Sequence, residues 1–179
     1  MSGPRCRCFI SLDVPDDLQM AMLAAQRTIG QRVKGLRLTR PENLHLTLKF
    51  LGEIDAARLD ETARRLSGVD WPPATLSIGC VGTFLPRIVW VSLEGAEAIQ
   101  QRVDAALEGL FEPEHRFMGH VTIARARRLT KAAIRAMEDV ALLPLGASAA
   151  FVSLQESTLT AAGPRYRKIA QYNIAAATD

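Results

Sequence analysis

The sequence predicts an α+β fold of two similar lobes, each an antiparallel sheet backed by helices. Runs of alternating polar and apolar residues are interspersed with stretches whose apolar residues recur every three or four positions, and these periods are typical of strands and helices. The pattern His-aliphatic-Thr-aliphatic occurs at His45 and again at His120. The length of 179 residues and the hydrophobic fraction of 48% suit a sizeable core, so we expect residues 1–179 to form one two-lobed domain.

Strands alternate with helices through the first half of the chain. Pro15 and the acidic pair after it suit the first turn of a helix, where the proline needs no N–H and negative charge meets the positive end of the dipole. Asp55 suits the cap of a second helix. The predicted helices run from Pro15 to Gly30 or Gly35 and over about 56–66, and the predicted strands cover 5–13, 36–39, the first motif as far as Gly52-Glu53, and 74–81.

A turn-rich connection at 82–87 is predicted to join the two halves. Thr130 can cap a helix that reaches Val140, and an earlier helix is predicted over about 95–110. The predicted strands of this half are Ile88 to Leu93, the second motif, about 147–157 and about 164–174. Each half then has two helices and about four strands, and a pseudo-twofold relation would bring the motif strands together along a central groove.

The period of a strand gives each motif one polar and one apolar face. Successive side chains point to opposite sides, so His45 and Thr47 share a face, while the other, apolar face that can pack on a helix carries Leu44, Leu46, Leu48 and Phe50. The same parity pairs His120 with Thr122. If both polar faces line one groove, two imidazoles and two hydroxyls converge there as an acid, a base and a pair of oxyanion donors.

Composition excludes several classes of protein. A net charge of +3 permits a phosphate-bearing substrate, but no long basic run of the kind that coats duplex nucleic acid is present. No apolar run reaches the roughly 18 residues of a membrane span, and residues 1–7 lack the apolar centre of a signal peptide, so we expect no membrane association and a cytoplasmic location. The apolar core suffices for a monomer.

Neither the cysteines nor the third histidine predicts a metal site. Cys6, Cys8 and Cys80 are odd in number and lack the spacing of a disulfide framework or a zinc site. His115 lies in a charged loop after a proline and is predicted to be a surface residue. We therefore expect chemistry without a metal or any other cofactor.

The paired motifs resemble those of the two-histidine phosphoesterase superfamily, and specifically the RNA 2′,3′-cyclic phosphodiesterases, also called 2′-5′ RNA ligase-like proteins. The resemblance covers nearly the whole chain and departs from the family pattern at two positions. Met118 stands where the family often has a proline, and Leu38 where it often has a tryptophan. The other matching segments are residues 8–12, the approach to the first motif at 36–45, a hairpin at 82–84 with 87–90, and closing strands at 154–157 with 163–166.

This resemblance implies a bilobal hydrolase that acts on RNA with a 2′,3′-cyclic phosphate end, with tRNA fragments among the candidate substrates. His45 resembles the proton donor to the 3′-oxygen and His120 the residue that activates water, which gives a product with a 2′-phosphate. Thr47 and Thr122 are the predicted phosphate-binding residues, through hydrogen bonds to non-bridging oxygens. The same groups run in reverse would give 2′-5′ RNA ligation.

Further substrate contacts are predicted from strand parity and from the family landmarks. Lys49 follows Thr47 on the same strand face and could reach the phosphate, whereas parity puts Arg125 on the face opposite His120 unless the strand bulges or ends, so parity does not place Arg125 in the groove. Phe84, Arg87 and Tyr166 match landmarks near the groove, where aromatic faces can stack a base and a guanidinium can hold a phosphate.

Two other interpretations remain open at this point. The same residues could hydrolyse a different phosphodiester, such as a 2′-5′ oligonucleotide or a small cyclic nucleotide. The chain could instead be a non-catalytic module that binds RNA ends, in which case loss of either imidazole would weaken binding without abolishing any turnover.

Overall fold

A curled antiparallel sheet of nine strands dominates the computed structural model, which describes residues 5–161 and 163–176. The strands are β1 (Arg5–Asp13), β2 (Arg37–Leu38), β3 (His45–Asp55), β4 (Thr75–Phe84), β5 (Ile88–Glu94), β6 (His120–Arg125), β7 (Gly146–Ser148), β8 (Phe151–Thr160) and β9 (Gly163–Asn173). Their order across the sheet is β7-β4-β5-β6-β3-β1-β8-β9, and β2 pairs separately with β6.

Four helices occur within the described residues: α1 (Asp16–Arg32), α2 (Ala56–Ser67), α3 (Glu97–Ala106) and α4 (Lys131–Glu138). The predicted caps are confirmed, because Asp55 accepts a hydrogen bond from the backbone N–H of Arg58 and Thr130 accepts one from that of Ala133. Among the described residues no helix has the length and apolarity that a membrane span requires.

The sheet consists of two four-stranded groups that meet at one register pair, Leu46 with Val121. The first lobe contains β3, β1, β8 and β9 and carries His45, while the second contains β6, β5, β4 and β7 and carries His120. α2 and α3 pack against β3, whereas α1 contacts β6 and α4 contacts β4. The predicted α+β class, with antiparallel strands in two lobes backed by helices, is confirmed, and the two predicted sheets are the two groups of this one sheet.

The lobes are not consecutive halves of the chain. β4 crosses into the second lobe and pairs with β5, while β8 returns to the first lobe and pairs with β1. The predicted connection between the halves at 82–87 is therefore wrong, since 82–84 belong to β4 and 85–87 form the turn of the β4–β5 hairpin. The predicted strand at 147–157 is divided between β7 and β8. The assignment of the whole chain to one domain stays a prediction.

Apolar side chains on one side of the sheet form the core with the helices. Leu46, Leu48 and Ile123 of the motif strands are almost completely buried, as are Leu18 of α1 and Ile99 of α3. Burial of a leucine-sized side chain contributes about 1.5–3 kcal/mol, so this face fixes how the motif strands are oriented.

Both motif strands bulge directly after the His-x-Thr sequence. The β1–β3 register shifts between Thr47 and Lys49, and the β5–β6 register shifts between Thr122 and Ala124. An extra residue reverses the side to which the following residues point. Lys49 and Ala124 are consequently buried, while the residues after them, Phe50 and Arg125, turn toward the face that carries the histidines.

Candidate active site

The two motifs meet where β3 and β6 pair. The antiparallel register at this junction sets His45 across from Thr122, and it sets Thr47 across from His120 in the same way. His45 and His120 are therefore diagonal neighbours, and the backbone positions of such residues lie about 7–8 Å apart in a regular antiparallel pair. All four side chains line one groove with a volume of about 960 Å³.

Each imidazole is oriented by the backbone carbonyl two residues earlier in the chain. Nδ1 of His45 lies 2.8 Å from the carbonyl oxygen of Asn43, and Nδ1 of His120 lies 2.8 Å from that of Met118. A carbonyl oxygen only accepts hydrogen bonds, so Nδ1 carries the proton in both rings. In the neutral ring Nε2 is then unprotonated, and it is the nitrogen that can take a proton from a ligand.

The segments that supply these carbonyls are themselves fixed. A 3₁₀ turn at Pro41–Asn43 leads into β3, and the Asn43 side chain donates a hydrogen bond to the carbonyl of Pro164 at 3.1 Å. Before β6, the carbonyl of Gly119 accepts a hydrogen bond from the N–H of Leu93 at 2.9 Å. A Cβ atom at Gly119 would lie 2.1 Å from the Leu93 carbonyl oxygen, so this close approach requires glycine.

His45 lies among aromatic rings. Its ring centroid is 4.9 Å from that of Phe9 and 5.1 Å from that of Tyr166, which meets it edge-on at 88°. Burial in this setting lowers the pKa of His45 below its ordinary value, although the hydrogen bond to the Asn43 carbonyl acts in the opposite direction. In the free protein the His45 ring is therefore neutral at pH 7.

His120 has an aromatic neighbour in the same relative position. Phe84 meets its imidazole edge-on at 90°, with 5.0 Å between centroids, and Trp90 lies 6.3 Å from it. The Trp90 ring in turn lies against Gly82, where a Cβ atom would be only 2.2 Å from two of the ring carbons. Gly82 therefore leaves room for the aromatic group that supports His120.

The threonine hydroxyls are available for a ligand. Thr47 and Thr122 are half-buried in the wall of the groove, and within the described residues neither hydroxyl has a hydrogen-bond partner. A hydroxyl is one donor and can rotate toward an acceptor. Two such donors beside two imidazoles suit an oxyanion.

The charged wall of the groove is cationic. Of the described residues that line it, none is an aspartate or glutamate. A cleft lined by one sign of charge concentrates ligands of the opposite sign. The lining arginines are Arg7, Arg37, Arg40 and Arg125.

Comparison with known proteins identifies the family. Residues 12–90 match the family model described as LigT-like phosphoesterase. A protein of Methanothermobacter thermautotrophicus named RNA 2′,3′-cyclic phosphodiesterase is 30% identical in an alignment that covers 90% of this chain and 95% of that protein. The chain belongs to the LigT-like phosphoesterases. It is therefore a phosphoesterase, an enzyme of the hydrolase class.

Further similarities agree with this family. A Methanocaldococcus jannaschii protein, also named RNA 2′,3′-cyclic phosphodiesterase, is 28% identical, and the alignment covers 93% of this chain and 99% of that protein. A crystal structure of a Thermus thermophilus protein superimposes with a TM-score of 0.75 at 24% identity, and covers 94% of this chain and 97% of that one. This last similarity shows the LigT-like fold.

The predicted substrate contacts of this phosphoesterase have different outcomes in the structure. Phe84 and Tyr166 line the groove beside the two imidazoles. Arg87 is exposed at the turn of the β4–β5 hairpin and is not among the described residues that line the groove. The prediction that Lys49 reaches the phosphate is wrong, because the bulge after Thr47 turns its side chain into the core, where it is 5% exposed.

Two lining residues were missed because strand parity was assumed to continue past the motifs. Arg125 lines the groove, because the bulge in β6 reverses the parity on which it was left out. Phe50 also lines it and is 70% exposed, although parity put it in the core. The repeated motif could have indicated their shared position, since Phe50 and Arg125 each follow the histidine of their motif by five positions. His115 is exposed, as expected.

Within the described residues, no three His, Cys, Asp or Glu side chains are grouped so that they could hold a metal ion. The three cysteines, Cys6, Cys8 and Cys80, are free thiols. Cys6 and Cys8 have their sulfur atoms 3.4 Å apart, and burial raises the pKa of Cys8 to about 12.

Proposed function

We propose that this phosphoesterase hydrolyses the 2′,3′-cyclic phosphate at RNA ends and leaves a 2′-phosphate. The observation that carries the proposal is one groove in which two imidazoles and two hydroxyls converge beside an arginine-lined wall. The names of the archaeal relatives, which align over nearly the whole chain, support the same substrate. An anionic ligand with a ribose and a base fits a groove that is both cationic and aromatic.

In the proposed reaction the two histidines act on opposite sides of phosphorus. Nε2 of His120 takes a proton from water as the water oxygen forms a bond to phosphorus. The bond from phosphorus to the 3′-oxygen breaks, and the imidazolium form of His45 gives its Nε2 proton to that oxygen. One proton is taken up and one is released, and exchange with solvent restores the starting protonation. This division of roles follows the family resemblance.

The environment of His45 is compatible with an acid once substrate is bound. Burial disfavours its protonated form in the free protein. A bound phosphodiester places a negative charge beside the ring, and a nearby opposite charge favours protonation. The carbonyl of Asn43, which accepts the Nδ1 proton, stabilises the imidazolium in the same direction.

The remaining groups bind the phosphate. Thr47 and Thr122 donate hydrogen bonds to its non-bridging oxygens, on which charge develops as water attacks. Arg125 adds a cation on the same side of β6 as His120. Phe50, Phe84 and Tyr166 offer ring faces or edges to the base and ribose.

Related properties belong to the same proposal. A 5′-hydroxyl in place of water can attack the cyclic phosphate by the same steps, with its proton taken by His120 and the 3′-oxygen leaving with a proton from His45, so 2′-5′ RNA ligation is a second reaction of the site. Fragments of tRNA with cyclic ends are candidate substrates. We also propose that the protein acts as a monomer in the cytoplasm.

The test is hydrolysis of a short RNA with a cyclic phosphate end, in EDTA, by the wild type, His45→Ala and His120→Ala. We expect a 2′-phosphate product from the wild type and a loss of at least about a hundredfold in kcat for each variant. His115→Ala, which removes the exposed third histidine, is the control and should match the wild type. Absence of wild-type turnover, or turnover of only 2′-5′ oligonucleotides or mononucleotides, would overturn the proposal.

A further inference from the structure

The bulge in β3 sends Lys49 to the helix side of the sheet, where it forms a buried ion pair. Its Nζ lies 2.6 Å from Oδ1 of Asp104 on α3, and the two side chains are 5% and 16% exposed. Nζ also donates to the backbone carbonyl of Glu112 at 2.5 Å. Lys49 thus connects the strand of the first motif to the segment that follows α3.

Asp104 extends this contact along the same segment. Its Oδ2 accepts hydrogen bonds from Nε2 of Gln100 at 2.7 Å and from the backbone N–H of Glu114 at 2.9 Å. Burial opposes ionisation of Asp104, but the hydrogen bonds from Lys49, the Glu114 amide and Gln100 outweigh it, so its pKa lies below the usual value. The carboxylate is charged, and both of its oxygens accept hydrogen bonds.

The segment held in this way leads directly to the second motif. Lys49 and Asp104 together bind the backbone at Glu112 and Glu114, and the chain then runs through three residues to Met118. The Met118 carbonyl is the one that accepts the Nδ1 proton of His120. These contacts and the short segment after Glu114 therefore connect the first motif strand to the carbonyl that orients the second imidazole.

We propose that Lys49, with Asp104, is a positioning residue that holds the loop at 112–118 so that the Met118 carbonyl fixes the tautomer and orientation of His120. The proposal rests on the proposed function of the groove, although Lys49 itself touches no substrate. It gives a reason for the bulge after Thr47, since a regular strand would direct Lys49 into the groove.

Stability alone is a weak explanation for this ion pair. Desolvation of two buried charges offsets most of their attraction, and an apolar pair of similar volume is often as stable. A purely structural role therefore predicts that such a replacement keeps activity. A positioning role predicts that the apolar replacement lowers kcat, because an apolar side chain cannot form a hydrogen bond with the Glu112 carbonyl or the Glu114 N–H.

The first test is the double variant Lys49→Met/Asp104→Leu, assayed on RNA with a cyclic phosphate end. We expect kcat to fall by at least about tenfold while KM changes by less than about twofold, because binding groups are intact and only the orientation of His120 is lost. Met137→Ala is the matched control, since it removes a buried side chain from α4, which packs on β4 rather than on the motif strands. A folded double variant with the kcat of the wild type would overturn the proposal.

The second test does not depend on turnover. The ¹⁵N shifts of the imidazoles report which ring nitrogen carries the proton, and His45 provides an internal control because its carbonyl partner, Asn43, lies outside the loop. We expect a mixed tautomer at His120 and an unchanged one at His45, both in the double variant and in the isosteric Asp104→Asn. An unchanged His120 tautomer in both variants would contradict the proposal. If the His120 tautomer changes in the variants but the wild type shows no turnover, only the proposed reaction is rejected.

Discussion

The ring of Phe84 stands perpendicular to the imidazole of His120, with 5.0 Å between their centroids. In the first lobe Tyr166 has the same relation to His45, at 88° and 5.1 Å. Each imidazole is therefore held in two ways, by a carbonyl at Nδ1 and by an aromatic edge, although Phe84 and Tyr166 come from different positions in the order of strands. The two imidazoles therefore have matching supports, although the supporting rings do not occupy equivalent strands of the two lobes.

Removal of the aromatic edge should loosen His120. An aromatic pair contributes about 0.5–1.5 kcal/mol beyond its buried area, so we expect Phe84→Leu to lower kcat by about two- to tenfold. Phe84→Tyr retains the ring and is the control. Steady-state hydrolysis of an RNA with a cyclic phosphate end measures the effect, and equal rates for the two variants would show that the ring does not position His120.

The threonine hydroxyls should act in the transition state rather than in ground-state binding. Thr47→Val keeps the shape of the side chain and removes the donor, and loss of one oxyanion donor lowers kcat by about 10²–10³-fold. Thr47→Ser retains the hydroxyl and should stay near the wild type. We expect Thr122→Val to behave like Thr47→Val. A loss confined to KM would indicate that the hydroxyls contribute only to uniform binding.

Arg125 should contribute to substrate binding. A hydrogen bond to a charged group contributes about 1.5–3 kcal/mol, so Arg125→Gln is expected to raise KM by about ten- to hundredfold. Arg128→Gln makes the same change of charge at an exposed residue outside the described lining of the groove and serves as the control. Similar effects of both substitutions would point to net charge rather than to a local contact.

Gly82→Ala should displace Trp90. The added Cβ would lie 2.2 Å from the indole ring, and such overpacking costs about 1–3 kcal/mol. Because Trp90 also contacts Phe84 and His120, we expect lower activity as well as a lower free energy of unfolding. Gly146→Ala is the matched control, as its Cβ would meet neighbours only at ordinary contact distances. Urea unfolding and turnover of both variants test the prediction.

The free energy of unfolding should depend on pH through His45. Burial lowers its pKa in the folded protein, so below about pH 6.5 the unfolded state binds the proton more readily. The stability that the neutral His45 ring provides is fully present above about pH 6.5. It is lost as the pH falls from there toward the lower pKa of the folded protein. We expect His45→Gln to weaken the fall in stability between about pH 7.5 and pH 5.5, as measured by urea unfolding. His115→Gln, at an exposed position, should keep the wild-type profile.

Local patterns in the sequence were sufficient to predict most of the secondary structure. The caps at Asp55 and Thr130 depend on residues three positions away, and the two helices that they cap begin where they were predicted. Strand parity was reliable from His45 to Thr47 and from His120 to Thr122, because the alternation is unbroken there.

The errors have a common physical origin in long-range contacts. The bulge after Thr47 turns Lys49 toward Asp104, a partner 55 positions away that no local pattern identifies. The equivalent bulge in β6 moved Arg125 into the groove. The partners of β4 and β8 were likewise unpredictable, since strands of similar composition can pair with either lobe.

The crossing of β4 and β8 between lobes has a consequence for the order in which the protein can fold. The first motif strand emerges early in synthesis, but β8 and β9, which complete its sheet, come from residues 151–173. A half-length nascent chain therefore cannot form the complete lobe around either imidazole. Pairings between such distant residues slow folding, and a ribosome-bound chain that ends near residue 90 would expose the unpaired edge of β1.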